Sequence, residues 1–282
     1  MRIILMLAAA AVAGVGCGGG GEGSEEGSGE QSVVASFYPL AFAAQEVGGA
    51  TVHVRNLTPP GAEPHDLEAT PGDVEELRNA DLVLLLGEGF QPQLEDAAGG
   101  GDRVVDVLDT PGLGLEHGDR HVWLDPLRYA RIVERVGSAL ARPDAARALS
   151  GRLRALDREY RAGLAECARR EIVTSHEAFA YLADRYGLRQ ISVTGPSPEG
   201  EPSPRDLERV VDAVRKTGAT TVFTEPLVSA RLADTVARET GARTAVLNPI
   251  EGLTEDEQER GEDYFSLMRA NLVALRKALS CR

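Results

Sequence analysis

The sequence predicts an α/β protein of two lobes, each with a mainly parallel sheet flanked by helices, joined by one long helix. Three observations carry this. Short apolar runs of strand length alternate with helix-periodic runs, the pattern of a parallel sheet with helical crossovers. The alternation occurs twice. Between the two series an unbroken helical pattern covers residues 143–168, about 35–40 Å at 1.5 Å per residue, long enough to cross both lobes. A chain of 282 residues has room for two domains.

The first lobe is expected over residues 33–142. Residues 32–38 read as its first strand, 40–47 as a helix, and 51–57 alternate like a second strand. A loop dense in proline and glycine follows and contains His65. Residues 72–79 read as a helix, 81–86 as an apolar strand, and 103–108 as another strand after a loop and short helix. Asp125-Pro126 is a helix start, because a carboxylate caps free N–H groups and proline suits the first helical position. That helix runs to about residue 141, where Pro143 breaks it and begins the next. In the long helix Leu149, Leu153, Leu156, Tyr160, Leu164 and Cys167 recur at steps of three and four. They form one apolar stripe, with Arg147, Arg152, Arg154, Asp157, Arg158 and Arg161 off it.

The second lobe, residues 169–282, repeats the logic. Strands are expected at 171–175, 190–193, 220–224 and 243–247. Helices are expected at 177–186, 205–217, 229–240 and 263–279. Ligands in such sheets sit beyond the carboxyl ends of strands. His65 and His121 lie there in the first lobe, His176 and Asn248 in the second.

Apolar content of 43% suffices for a core, and a net charge of −14 argues against nucleic acid, whose phosphates need basic patches. At the N-terminus an apolar run over residues 3–15 precedes Gly16-Cys17. The run is short for a bilayer span and suits a signal peptide, residues 1–17. Residues 18–32, rich in glycine, serine and glutamate, read as a disordered tether. The arrangement resembles a bacterial lipoprotein with lipid on Cys17, anchored to the outer face of the cell membrane, with Gly14 where that pattern prefers leucine. Outside the cytosol, Cys167 and Cys281 are expected to form a disulfide. Closing so long a loop stabilises by about 4–5 kcal/mol on the chain-entropy account.

There are five histidines. His53 sits inside a strand pattern and reads as structural. His117 lies in a glycine-containing loop four residues before His121 and reads as a solvated loop residue. His65, His121 and His176 stand at strand or loop ends. Three imidazoles with one oxygen donor suit Zn²⁺, which favours nitrogen and tetrahedral geometry. The spacing fits a preformed cleft rather than a zinc finger. Residues 176–180 are not HExxH, since position 180 is alanine, and no Walker, GxSxG or GxGxxG motif occurs in the lobes.

Six stretches then occur in order: GAEPHDLEATPGDVEELRNADLVLLLG, HVWLDP, VTSHEAFAYLADRYGL, SPEGEPSPRDL, VFTEPLVS and VLNPIEGL. Together they resemble the substrate-binding lipoproteins of metal-ion ABC importers, the ZnuA/TroA-like family for zinc and manganese, over essentially the whole chain after residue 32. The resemblance implies the metal-type periplasmic binding protein fold, a metal in the cleft, an ABC permease as partner and no enzymatic activity. Carried over by position, the ligands are His65, His121 and His176. Manganese members tend to have glutamate at the last position, so this chain leans to Zn²⁺, with Mn²⁺ the alternative. The family usually has aspartate where this chain has Asn248. The fourth ligand is therefore the Asn248 amide, Glu251 or water, with Asn248 or water preferred. The histidine-rich insertion of many zinc members is absent apart from His117 and His121. A monomer is expected.

Two other classes are weaker. A zinc hydrolase would need Glu177 or Glu225 as base, and no spacing supports that. A surface adhesin would need a partner site, and no stretch encodes one.

Overall fold

A computed structural model describes residues 30–115, 119–198 and 200–282. The first lobe runs β1 (Gln31–Ala35), α1 (Tyr38–Gly48), β2 (Val52–Asn56), α2 (Pro71–Asn79), β3 (Leu82–Leu85), α3 (Pro92–Ala98) and β4 (Val104–Asp106). Then come α4 (Pro126–Ala139) and α5 (Pro143–Leu164). The second lobe runs β5 (Glu171–Thr174), α6 (Ala180–Tyr186), β6 (Arg189–Ser192), α7 (Pro204–Thr217), β7 (Thr221–Thr224), α8 (Arg231–Thr240), β8 (Arg243–Val246), α9 (Glu255–Glu259) and α10 (Tyr264–Leu279). Both sheets are parallel and share one winding, β2-β1-β3-β4 and β6-β5-β7-β8.

The inner strands β1, β3, β5 and β7 carry adjacent buried apolar residues because both of their faces are covered. Val33, Ala35, Leu82 and Leu84 face a large inner core, while Val34, Val83 and Leu85 pack with Leu77 of α2 and Leu94 of α3. In the second sheet Ile172 and Phe223 face inward, and Val173 and Val222 pack with Val210 and Val214 of α7 and Val236 of α8. The inner core is continuous through both lobes, from Phe37 and Trp123 to Phe179 and Tyr264.

Helix α5 joins the lobes through the stripe read from the sequence. Leu149, Leu153, Leu156, Tyr160 and Leu164 are all buried. The helix packs on α1 and α4 of the first lobe and on α6 and α10 of the second. Three tyrosine hydroxyls buried in this layer donate to carbonyls, each at 2.6 Å: Tyr129 to Pro39, Tyr160 to Met268 and Tyr264 to Trp123. Their rings contribute apolar area while no hydroxyl is left unpaired.

Several boundaries differ from expectation. β1 starts at Gln31, inside the stretch read as tether. α5 stops at Leu164, because beyond it the chain pairs with the C-terminus: Arg169 N–H donates to the Leu279 carbonyl, and Cys167 is disulfide-bonded to Cys281. α6 starts at Ala180 rather than residue 177. The preceding N–H groups are taken by other partners, Glu177 donating to the Gly195 carbonyl and Phe179 to Gln190 Oε1. The short α9 was not expected; a capping box between Thr254 and Glu257 starts it. The signal peptide, Cys17, most of the tether and His117 lie outside the described residues. Among the described residues no helix is long and apolar enough to cross a membrane.

Candidate metal centre

The carboxyl ends of both sheets face one cleft, as the general rule for α/β sheets requires. His65 follows β2, on a single helical turn over Pro64–Asp66. His121 ends the loop after β4, before a turn over Val122–Leu124. His176 stands two residues past β5, and Glu251 follows β8. One ligand atom from each of His65, His121, His176 and Glu251 lies within 4.8 Å of all the others. Glu251 Oε1 is 2.9 Å from His121 Nε2 and 3.4 Å from both His65 Nε2 and His176 Nε2. The Nε2 atoms of His121 and His176 are 3.4 Å apart.

These spacings suit zinc. A tetrahedron with ligands about 2.0–2.1 Å from the ion has edges of about 3.3–3.4 Å. His121, His176 and Glu251 are buried, and His65 is half-buried against the Phe90 ring. Two buried polar atoms of the cluster, Glu251 Oε2 and His65 Nε2, have no hydrogen-bond partner. Buried polar atoms are nearly always paired, so such orphans at one point fit a bound cation.

Two carboxylates orient the rings. Asp119 Oδ1 is 2.7 Å from His121 Nδ1, and Glu225 Oε2 is 2.5 Å from His176 Nδ1. Each fixes the tautomer that leaves Nε2 free toward the cluster. Sequence reasoning missed both in this role. The signal was present: Asp119 stands two residues before His121, and Glu225 lies just past β7.

Without metal the cluster holds charge. Burial disfavours protonation of His121 and His176, but the hydrogen bonds of Asp119 and Glu251 on the first, and of Glu225 and Glu251 on the second, outweigh it. His121 is raised, and His176 is pushed up to about 10. Burial would raise Glu251, but the imidazoles gathered around it, His121 first through its hydrogen bond, hold it well below the usual carboxylate range. Nearby, burial and the charge of Glu251 push Glu63 up to about 8.

Asn248, the preferred oxygen donor from sequence, stands elsewhere in the network. Its Oδ1 accepts from the Ile250 N–H at 2.7 Å and its Nδ2 donates to Glu257 Oε1 at 3.0 Å. Its backbone is clasped by Asn271 through two bonds. The turn it makes carries Ile250 at φ 58°, an unusual conformation for a β-branched residue. Trp123 Nε1 donates to the Pro249 carbonyl at 2.7 Å and secures the turn from the other lobe. The turn brings Glu251 to the three rings. The oxygen donor beside the three rings is thus Glu251, the less favoured of the options left open by the sequence, and not Asn248. His53 is on the edge strand β2, away from the cluster.

A family described as zinc-uptake complex component A, periplasmic, matches residues 33–278. The chain belongs to the ZnuA family. Relatives include the zinc-binding lipoprotein AdcA of Streptococcus pneumoniae, 34% identical over 90% of this chain and 56% of its own length. The chain thus spans about half the length of that relative. The high-affinity zinc uptake system protein ZnuA of Bacillus subtilis is 31% identical over 88% of this chain and 87% of its own. The Zn(II)-bound ZnuA-like domain of S. pneumoniae AdcA superposes with a TM-score of 0.76 at 33% identity, covering 89% of this chain and 99% of that domain. ZnuA family membership agrees with the two-sheet architecture and with the cleft that holds the cluster.

Proposed function

We propose that this ZnuA family member is the extracytoplasmic zinc-binding component of an uptake system. It captures Zn²⁺ between two lobes, residues 33–142 and 169–282, joined by the segment 143–168, and passes it to an ABC permease. The observation that carries this is the convergence of three imidazoles and one carboxylate within 4.8 Å. His65, His121, His176 and Glu251 are the ligands. Zinc is favoured over manganese because three of the four donors are nitrogen. Each ligand arrives from a different strand end, so the cleft is formed before the metal arrives. Cys17 is the lipid attachment point, and the chain acts as a monomer without nucleic acid.

The test is competition. The purified full-length protein, stripped of metal, is offered zinc and manganese together, and bound metal is counted by mass spectrometry. One zinc per chain, sharply weakened in His176→Ala, is the expected result. Manganese retained over zinc would overturn the metal assignment, and no metal in the wild type would overturn the site.

A further inference from the structure

The cluster opens on one side into a cavity of about 280 Å³ lined by His65, Phe90, Arg120, His121 and Ser197 among others. Among the described residues, Arg120 is the one basic side chain lining this mouth that is permanently charged. It precedes the ligand His121 in the chain. Its Nε is buried and has no hydrogen-bond partner. Among the described residues it has no ion pair, although most other arginines in the second half of the molecule find a carboxylate or carbonyl. An unpaired guanidinium at the entrance to a cation site is electrostatically costly. It repels a cation held nearby, and its buried Nε donor goes unused.

Both problems are resolved by one occupant. We propose that the mouth binds a small planar oxyanion of the carboxylate class together with the metal. This rests on the zinc reading of the cluster. The guanidinium fork matches a carboxylate, with two N–H donors facing two oxygens. The cavity has room for an anion of a few heavy atoms. The anion would stand between Arg120 and the metal and turn a repulsion into two attractions. Zinc and anion would then each strengthen the binding of the other, since coupling between two sites is reciprocal. Acetate and hydrogencarbonate present the same planar group.

The experiment measures zinc affinity of the full-length protein by competition with a chelating dye at constant ionic strength. Perchlorate is replaced stepwise by acetate in one arm and by hydrogencarbonate in the other. Tightening of at least about fivefold, the low end of ordinary coupling between two ligands, is expected in one arm or both. It should disappear in Arg120→Gln and persist in part in Arg120→Lys. Acetate also captures zinc weakly in solution, which would loosen the apparent affinity, so tightening cannot come from the solution. A second readout is line broadening of ¹³C-labelled acetate or hydrogencarbonate by the zinc-loaded protein, lost in Arg120→Gln. With perchlorate alone, Arg120→Gln should bind zinc at least as well as the wild type, because a like charge has been removed. Tightening that is absent in the wild type, or equal in Arg120→Gln, overturns the inference while leaving zinc binding intact. A wild type that takes no zinc under any anion overturns the zinc reading itself.

Discussion

Asp119 grips His121 twice with one oxygen: Oδ1 is 2.7 Å from the ring Nδ1 and accepts the backbone N–H of the same residue at 2.9 Å. Glu225 does the same for His176 with two oxygens, at 2.5 Å to Nδ1 and 3.1 Å to the backbone N–H. The carboxylates therefore set both the position of each histidine and the direction of its ring. Asp119→Asn and Glu225→Gln are each expected to weaken zinc binding by about 10–100-fold, the usual effect of removing an orienting partner. Dye competition measures this, with circular dichroism as the control for folding. Unchanged affinity in both variants would remove the orienting role.

In the proposed site Glu251 is a ligand and Asn248 a support. Glu251→Ala deletes the oxygen donor and should weaken zinc by more than the roughly 100-fold ceiling of an orienting change. Asn248→Ala leaves Glu251 in the chain but deletes the acceptor of the Ile250 N–H. The expected result is a loss of stability of about 1–3 kcal/mol from unpaired buried groups, read by urea denaturation, with a smaller loss of zinc affinity. The reverse order of affinities would make Asn248 the ligand.

Much of this was legible in the sequence, for identifiable reasons. Apolar strands covered on both faces and the stripe on α5 have strong periodicities, so the two sheets and the joining helix could be read directly. His121 and His176 stand beside recognisable motifs at strand ends. What stayed hidden depends on backbone direction. Ile250 at φ 58° turns the chain so that position 251, not 248, meets the histidines, and no residue pattern announces that turn. Asp119 stands two residues from His121, whereas Glu225 and His176 are 49 residues apart and the parallel pairing of β5 with β7 brings them together.

The charge state of His176 makes zinc binding sensitive to pH. Zinc takes a neutral ring nitrogen, yet in the metal-free protein Glu225 and Glu251 overcome the effect of burial and hold the ring protonated up to about 10. Metal must displace that proton at neutral pH, so apparent affinity should rise with pH, by up to about tenfold per unit for each proton released. Linkage gives the opposite slope for the metal-free fold. A raised histidine stabilises fully below its ordinary value of 6.5, and that contribution is lost as pH rises towards about 10. Competition titrations across this window, with proton release measured in weak buffer, check the first slope. Thermal unfolding of the stripped protein checks the second. A zinc affinity that does not change with pH would contradict the assigned protonation.

The lobes are also tied by an ion pair whose carboxylate is buried. Asp125 caps α4, accepting the Leu127 N–H at 2.9 Å, and receives Arg185 of α6 through Nε at 2.8 Å and Nη2 at 2.6 Å. It is 1% exposed, whereas the Arg185 side chain is 26% exposed. The pair should respond asymmetrically. Asp125→Ala removes the helix cap and strands a guanidinium, so a loss of about 3–5 kcal/mol is expected. Arg185→Ala should lose less, because Arg128 Nε remains 3.2 Å from the same carboxylate. Asp125 lies four residues past His121, and Arg185 lies on the helix that follows His176. Loosening the pair should therefore also speed zinc release. Urea denaturation and stopped-flow transfer of zinc to a chelator measure the two effects. Equal destabilisation by both variants, with release unchanged, would reduce the pair to an ordinary surface contact without a role in holding the cleft.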